Sequence, residues 1–238
     1  MPQDDADPAQ ARKDEEARPR ENDVVSLVPA RDAAPGTVLG KGPTMRATIT
    51  KPMIFKAAAT LANGGYQYSI LQVGRQGDSL RICGTNSFVA VLAEVEADFS
   101  RWPDGEQIRF NGGDVQAIMR GIGKALKHAT SLTIEVVKGF ATFGLFVDGS
   151  EVLAKIDYDK ADAGQTIRNF DKLGMGRDEV EGDPLVASHM MTLAANAMRT
   201  ISPFKQTAWE VRQHGKENAL EYVTNEEPAR VIVMPVRR

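Results

Sequence analysis

The chain has 238 residues, 42% of them hydrophobic, and a formal net charge of -3. This is enough apolar material for one or two cores, and too balanced a charge for binding nucleic acid through global attraction. The single cysteine, Cys83, excludes an internal disulfide and has no neighbours at metal-ligand spacing, so a reducing, cytoplasmic setting is expected.

Residues 1–44 carry six Lys/Arg against nine Asp/Glu, which accounts for the whole net charge, and hold almost no large apolar side chains. Such a segment cannot offset its ordering entropy and is expected to be a disordered tail. It lacks a cationic start followed by an apolar run, so neither a secretory signal nor a membrane span is expected.

From Met45 to Thr50 apolar and polar residues alternate, predicting a strand. Pro52 suits the first turn of a helix that ends at Gly64-Gly65, with Ile54, Ala58 and Leu61 on one face. Three strands follow, Tyr68 to Val73, Leu80 to Gly84 and Phe88 to Glu96. The pattern then recurs: a short strand at Gln107 to Phe110, a helix from Asp114 to Lys127, and strands at Leu132 to Val137, Ala141 to Val147 and Glu151 to Ile156, with turns at Lys138-Gly139 and Asp148-Gly149. After a polar stretch comes a third instance: Leu185 to Ala187, a helix from Ser188 to Ile201, and strands at Thr207 to Gln213, Ala219 to Val223 and Arg230 to Met234. Three strand-helix-three-strand units imply an internal repeat and an α+β fold with helices on one face of antiparallel sheets.

The helices share a charge pattern. Val115, Ile118, Met119, Ile122 and Leu126 form an apolar stripe of the second helix, and Arg120, Lys124 and Lys127 lie opposite. Lys56 projects from the first helix and Arg199 from the third, flanked by Thr192 and Asn196. Acids such as Glu94, Glu96, Asp98, Glu135 and Asp157 fall in strands and loops. This segregation points to a row of helices facing a phosphate backbone, with double-stranded DNA contacted independently of sequence, since no aromatic residues are interleaved for base stacking.

Enzyme chemistry finds little support. Gly121 to Leu126 contains Gly-Lys without phosphate-loop spacing, His128, His189 and His214 are far apart in sequence, and Cys83 reads as a small buried residue. Asp157 and Asp159 read as solvated carboxylates. No catalytic group, metal site or cofactor is expected.

Two segments resemble a known family. Arg81 to Glu96, RICGTNSFVAVLAEVE, is similar to the middle-domain segment of the bacterial DNA polymerase III beta sliding clamps in which a strand leads into Thr-Asp-Gly-His-Arg-Leu-Ala. The C-terminal ARVIVMPVRR resembles the clamp ending Tyr-Val-Val-Met-Pro-Met-Arg-Leu, and Glu151 to Asp159 is similar to the strand closing the middle domain. The resemblance covers about 190 residues. It implies the DNA-clamp fold, a non-catalytic processivity role, and a pocket for partner peptides lined by Thr85, Phe88, Val89, Ala90, Met234, Pro235 and Val236. It also implies DNA polymerase and clamp loader as partners, a homo-oligomeric ring, and Lys56, Arg120, Lys124, Lys127 and Arg199 facing DNA. Where the family has Gly-His-Arg-Leu this chain has Ser-Phe-Val-Ala at 87 to 90, which implies a peptide preference that is either different or lost.

The expected organisation is a tail (1–44), a two-unit clamp domain (45–158), a connector (159–183) and a one-unit partial clamp domain (184–238). The family has six units per chain, so the first half of the last domain is missing here. Four such chains would close a ring of twelve units if the unpaired third units meet across a two-fold axis. The alternatives left open are a clamp-like decoy that binds partner peptides without a ring, and a β-rich assembly protein.

Overall fold

The computed structural model describes residues 27–28, 44–63, 69–137, 139–158, 186–203, 207–213 and 219–234. The expected helix end at Gly64-Gly65, the strand start at Tyr68, most of the tail and the connector lie outside them. In chain order the elements are β1 (Leu27–Val28), β2 (Met45–Ile49), α1 (Pro52–Ala62), β3 (Ile70–Gln76), β4 (Ser79–Thr85), β5 (Val89–Ser100), β6 (Gln107–Asn111), α2 (Gly112–Ile122), β7 (Leu132–Val137), β8 (Gly139–Val147), β9 (Ser150–Tyr158), α3 (Ser188–Ile201), β10 (Glu210–Gln213), β11 (Leu220–Val223) and β12 (Ala229–Val233). Among the described residues every strand pairing is antiparallel, and the strands join into one connected sheet system.

Units 1 and 2 are interlocked by exchanging strands. β2, which leads into α1, pairs with β7, the first strand after α2. β6, which leads into α2, pairs with β3, the first strand after α1. Unit 3 joins through last strands: β12 pairs with β5 from Ala229 opposite Ala93 to Val233 opposite Val89. β5 is longer than the alternation from Phe88 to Glu96 implies, because its last four residues, Ala97 to Ser100, pair with β2.

One strand differs from expectation. Val186 and Ala187 are in no strand, and Leu185 lies outside the described residues. In units 1 and 2 the corresponding strand is held by the companion unit, and among the described residues unit 3 has no such companion.

Side-chain alternation sends Val89, Val91, Val231 and Val233 to the helix side, where they are fully buried, and places Leu92, Ile232 and Cys83 in a small cluster on the opposite face. The helices pack on the first side. α1 begins with Pro52 at its first turn, where the missing N–H costs nothing. It buries Phe55, Ala57, Ala59 and Ala62 as well as the expected Ile54, Ala58 and Leu61, because it is wedged between the sheet, α3 and α2. α2 opens with a capping box in which the Asn111 side chain accepts from the Asp114 N–H and the Asp114 carboxylate accepts from the Asn111 N–H. It ends at Ile122, and a 3-10 turn, Ala125–Lys127, carries the chain on, so the single helix expected from Asp114 to Lys127 is divided around Gly123.

Two glycines set the distance between helices and sheet. At Gly121 a Cβ would come 2.6 Å from the Ala154 Cβ of β9, and at Gly84 it would run into the backbone of Ala58 in α1. Between units 1 and 2, Trp102 is buried and donates its indole N–H to the Glu106 carbonyl at 3.0 Å, with Phe99 edge-on to it.

Because no flexible side chain can give way at Gly84, Gly84→Val is expected to destabilise the fold by about 2 to 3 kcal/mol. Urea denaturation checks this. An unchanged midpoint would mean that α1 does not sit this close to β4.

Candidate functional site

The helix side presents cations. Arg120, Lys124, Lys127 and Arg199 are exposed and Lys56 is half-buried. α1 packs against α3, α2 and the 3-10 turn that carries Lys127. Lys56 and Lys127 are near enough to interact: partial burial first, and then the positive charge of Lys127, hold the Lys56 ammonium below its ordinary pKa. Among the described residues no carboxylate pairs with Lys56, Lys124, Lys127 or Arg199. The three helices hold a single carboxylate, Asp114, and it is engaged in the capping box.

The sheet carries the opposite pattern. Arg81 pairs with Glu94 across β4 and β5 at 2.7 Å, Arg230 with Glu221 across β12 and β11 at 2.9 Å, and Arg46 with Glu135 across β2 and β7 at 3.5 Å. In these strands cations have local partners. Only the Arg81–Glu94 pair is at the exposed surface, where such a pair adds little stability, and Glu221 is buried; all three offset charge on the strands, while the helices carry more cations than carboxylates. This is an arrangement that attracts a polyanion to one side only.

A second constellation lies at the β4–β5 turn. Thr85 Oγ1 donates to the Val89 carbonyl at 3.1 Å and accepts from the Ser87 N–H at 3.1 Å. Asn86, buried, accepts from the N–H groups of Phe88 at 3.1 Å and Val89 at 2.9 Å. These bonds hold Ser87 at a φ of 78°, a left-handed conformation uncommon for a residue with a side chain. The Met234 N–H donates to the Phe88 carbonyl at 2.8 Å, so the C-terminal strand is fastened to this turn. The backbones of Thr85, Phe88, Ala90 and Met234 thus converge from distant parts of the sequence, but the Phe88 side chain packs against the helix-side core, whereas Ala90 and Met234 belong to the cluster on the opposite face. Val89 is also turned to the helix side, where its exposure is 0%, so it supplies packing rather than surface. Pro235 and Val236 lie outside the described residues.

His189, at the start of α3, meets the Phe88 ring edge-on, with centroids 6.5 Å apart. Nothing in the sequence pattern singles it out for this contact. Asn86 stands in the sequence only as one member of the Thr-Asn-Ser motif, and its role is to brace the turn. A cleft of about 970 Å³ opens elsewhere, where β5 passes from β12 to β2, lined by Lys51, Arg81, Glu94 and the turn Thr224 to Pro228. Four of its charges form two pairs, Lys51 with Glu227 at 2.7 Å and Arg81 with Glu94, Glu96, Glu226 and Arg230 also line it, and it is separate from the Thr85 to Phe88 turn. Cys83 is fully buried, and burial pushes its thiol well above the ordinary value, which suppresses the thiolate a nucleophile would need. Among the described residues no group of three or more His, Cys, Asp or Glu side chains could hold a metal ion, and no helix is long and apolar enough to cross a membrane.

No protein-family model matches the sequence, and no curated protein matches it. Solved structures match the fold. A Helicobacter pylori beta clamp in complex with diflunisal aligns with a TM-score of 0.56 at 9% identity, over 86% of this chain and 69% of that one. A Helicobacter pylori beta clamp bound to a DNA ligase peptide aligns at 0.54 and 8% identity, over 86% and 68%. A DNA polymerase III beta subunit of Eubacterium rectale aligns at 0.50 and 8% identity, over 82% and 65%. The fold is that of the bacterial DNA polymerase III beta sliding clamps, and the chain spans about two thirds of their length.

The proximity of Lys56 and Lys127 predicts that Lys127→Gln raises the Lys56 pKa, since removing a neighbouring positive charge favours the ammonium form. Titration of labelled lysine side chains by NMR reads this directly. A Lys56 pKa that stays put or falls would place Lys127 outside the cluster.

Proposed function

We propose that this chain, which has the fold of the bacterial DNA polymerase III beta sliding clamps, is a clamp-like DNA-binding module with a non-catalytic, tethering role. Its helix layer faces duplex DNA without reading sequence, and the surface around Thr85, Phe88, Ala90 and Met234 takes extended peptides from replication or repair partners, a polymerase and a clamp loader among them.

The observation that carries this reading is the charge segregation. Lys56, Arg120, Lys124, Lys127 and Arg199 lie on or just after helices whose one carboxylate is engaged in a cap, while Arg46, Arg81 and Arg230 of the strands are matched by glutamates. Dispersed contacts to phosphate position a duplex without specifying a base. They are also individually weak and equivalent along the helix, which permits movement along the DNA. In a ring, retention is topological, so tight binding is unnecessary. A partner held by a short peptide then gains effective concentration at the template.

The peptide surface has the chemistry this requires. Phe88 and Met234 are partly buried apolar side chains at the end of a sheet, flanked by the Thr85 hydroxyl, and an extended peptide supplies apolar anchors and backbone hydrogen bonds to such a site. The DNA ligase peptide bound to the Helicobacter pylori clamp is an instance of a clamp of this fold holding a peptide.

We read encirclement as the work of several chains, as in a homo-oligomeric ring. The test is retention on nicked circular duplex before and after the circle is linearised. Retention through a salt wash on the circle, lost on linearisation, is expected. Equal retention on both forms would contradict encirclement, and binding to neither would contradict the DNA-facing role.

A further inference from the structure

β12 and β2 are added to the same edge of β5 without meeting. Pairing with β12 ends at Ala93 and pairing with β2 begins at Ala97, so between them, among the described residues, no strand lies along that edge. At the start of the break the Glu94 N–H donates to the Pro228 carbonyl at 3.1 Å. The cleft of about 970 Å³ opens at this break. The β11–β12 turn, Thr224 to Pro228, lines one side, and Thr50 and Lys51, which lead from β2 into α1, line the other. Lys51 reaches Glu227 at 2.7 Å and so ties the two sides together.

The charges of the cleft do not cancel. Each of the cations that line it has a carboxylate of its own: Lys51 has Glu227, Arg81 has Glu94 at 2.7 Å, and Arg230 has Glu221 at 2.9 Å. Glu96 and Glu226 also line the cleft, and both are exposed. Glu96 stands opposite Ser79 on β4, Glu226 accepts from the Thr207 hydroxyl at 2.8 Å, and among the described residues no cation pairs with either. The lining also includes the buried apolar residues Leu92, Val95 and Ala229. A metal ion does not fit this donor set, since among the described residues no group of three or more His, Cys, Asp or Glu side chains could hold one.

We infer that this cleft docks an extended, arginine-bearing segment of a protein partner. An arginine side chain combines an apolar stem, which suits the apolar lining, with a planar guanidinium whose forked N–H donors suit carboxylates. It meets Glu96 and Glu226 without breaking any of the three existing pairs. The hydroxyls of Thr50 and Thr224 and the Asn225 amide, which also line the cleft, supply hydrogen bonds to the backbone of an extended segment. Because the Lys51–Glu227 pair already joins the two sides, docking requires little ordering of the site. The sign of the charge separates this cleft from the helix layer: unmatched carboxylates repel phosphate and select a basic partner.

The docking is independent of whether the helices face DNA and of the Thr85 to Phe88 turn, so it is tested without DNA and by the position of the response. The probe is the peptide acetyl-Ala-Arg-Ala-Arg-Ala-amide, and its uncharged counterpart carries citrulline in place of both arginines. Backbone amides of the full chain are followed by NMR as each peptide is added at an ionic strength near that of the cell. Saturable shifts at Glu94, Glu96, Glu226 and Glu227 are expected with the arginine peptide, and binding of the citrulline peptide is expected to be about tenfold weaker, as for the loss of a hydrogen bond to a charged group. Glu96→Gln/Glu226→Gln is expected to weaken the arginine peptide by a similar factor, and Glu151→Gln, at an exposed position on β9, to leave it unchanged. If the double variant fails to fold, the comparison of the two peptides on the unmodified protein still decides. No saturable shift at the cleft, equal binding of both peptides, an affinity unaltered in a folded double variant, or shifts spread equally over the carboxylates of β9 would each overturn the proposal.

Discussion

β5 is too long for a single neighbour. Its first residues, Val89 to Ala93, hydrogen-bond to β12, its residues from Ala90 to Glu96 to β4, and its last four to β2. One strand therefore ties unit 1 to both unit 2 and unit 3, and the placement of α1 and α3 follows from it. α1 sits over β4 and β5 because Gly84 leaves room for the Ala58 backbone. α3 reaches α1 because β12 is paired to β5. The cleft beside Glu94 is a by-product of the point at which β5 leaves β12 for β2.

The same strand connects the two candidate surfaces. The turn that precedes it, held by Thr85 and Asn86, receives the Met234 N–H and lies against His189 at the start of α3. A peptide seated on Phe88 and Met234 would contact the junction of units 1 and 3 rather than one unit alone, while the cations lie on the helix layer.

Much of this is legible in the sequence because it is local. The alternation of Val89, Val91, Ala93 and Val95, the helix from Ser188 to Ile201 and the stripe of Val115, Ile118 and Ile122 are period-2 and period-3.6 patterns contained within one element. The non-local features are not legible. The end of β5 at Ser100 depends on β2, since Asp98 and Ser100 read as a loop until a partner strand is supplied. α1 shows one apolar face in the sequence and buries nearly all of its surface in the fold, because alanines are ambiguous until flanking helices are in place. The strand exchange, the bracing by Asn86 and the Phe88 to His189 contact depend on long-range pairing. The strand expected at Leu185 to Ala187 rests on the unit pattern, and that pattern is completed only by a companion.

The most direct test of charge segregation compares duplex affinity as a function of salt for the unmodified protein, for Lys124→Gln/Lys127→Gln/Arg199→Gln on the helix side, and for Arg46→Gln/Arg81→Gln/Arg230→Gln on the strands. If the helix layer meets phosphate, the first variant weakens binding to all sequences alike and lowers the salt slope by about 0.9 for each phosphate left without its cation, while the second leaves the slope unchanged. A slope unaltered by the helix-side changes, or altered equally by both sets, would contradict the account.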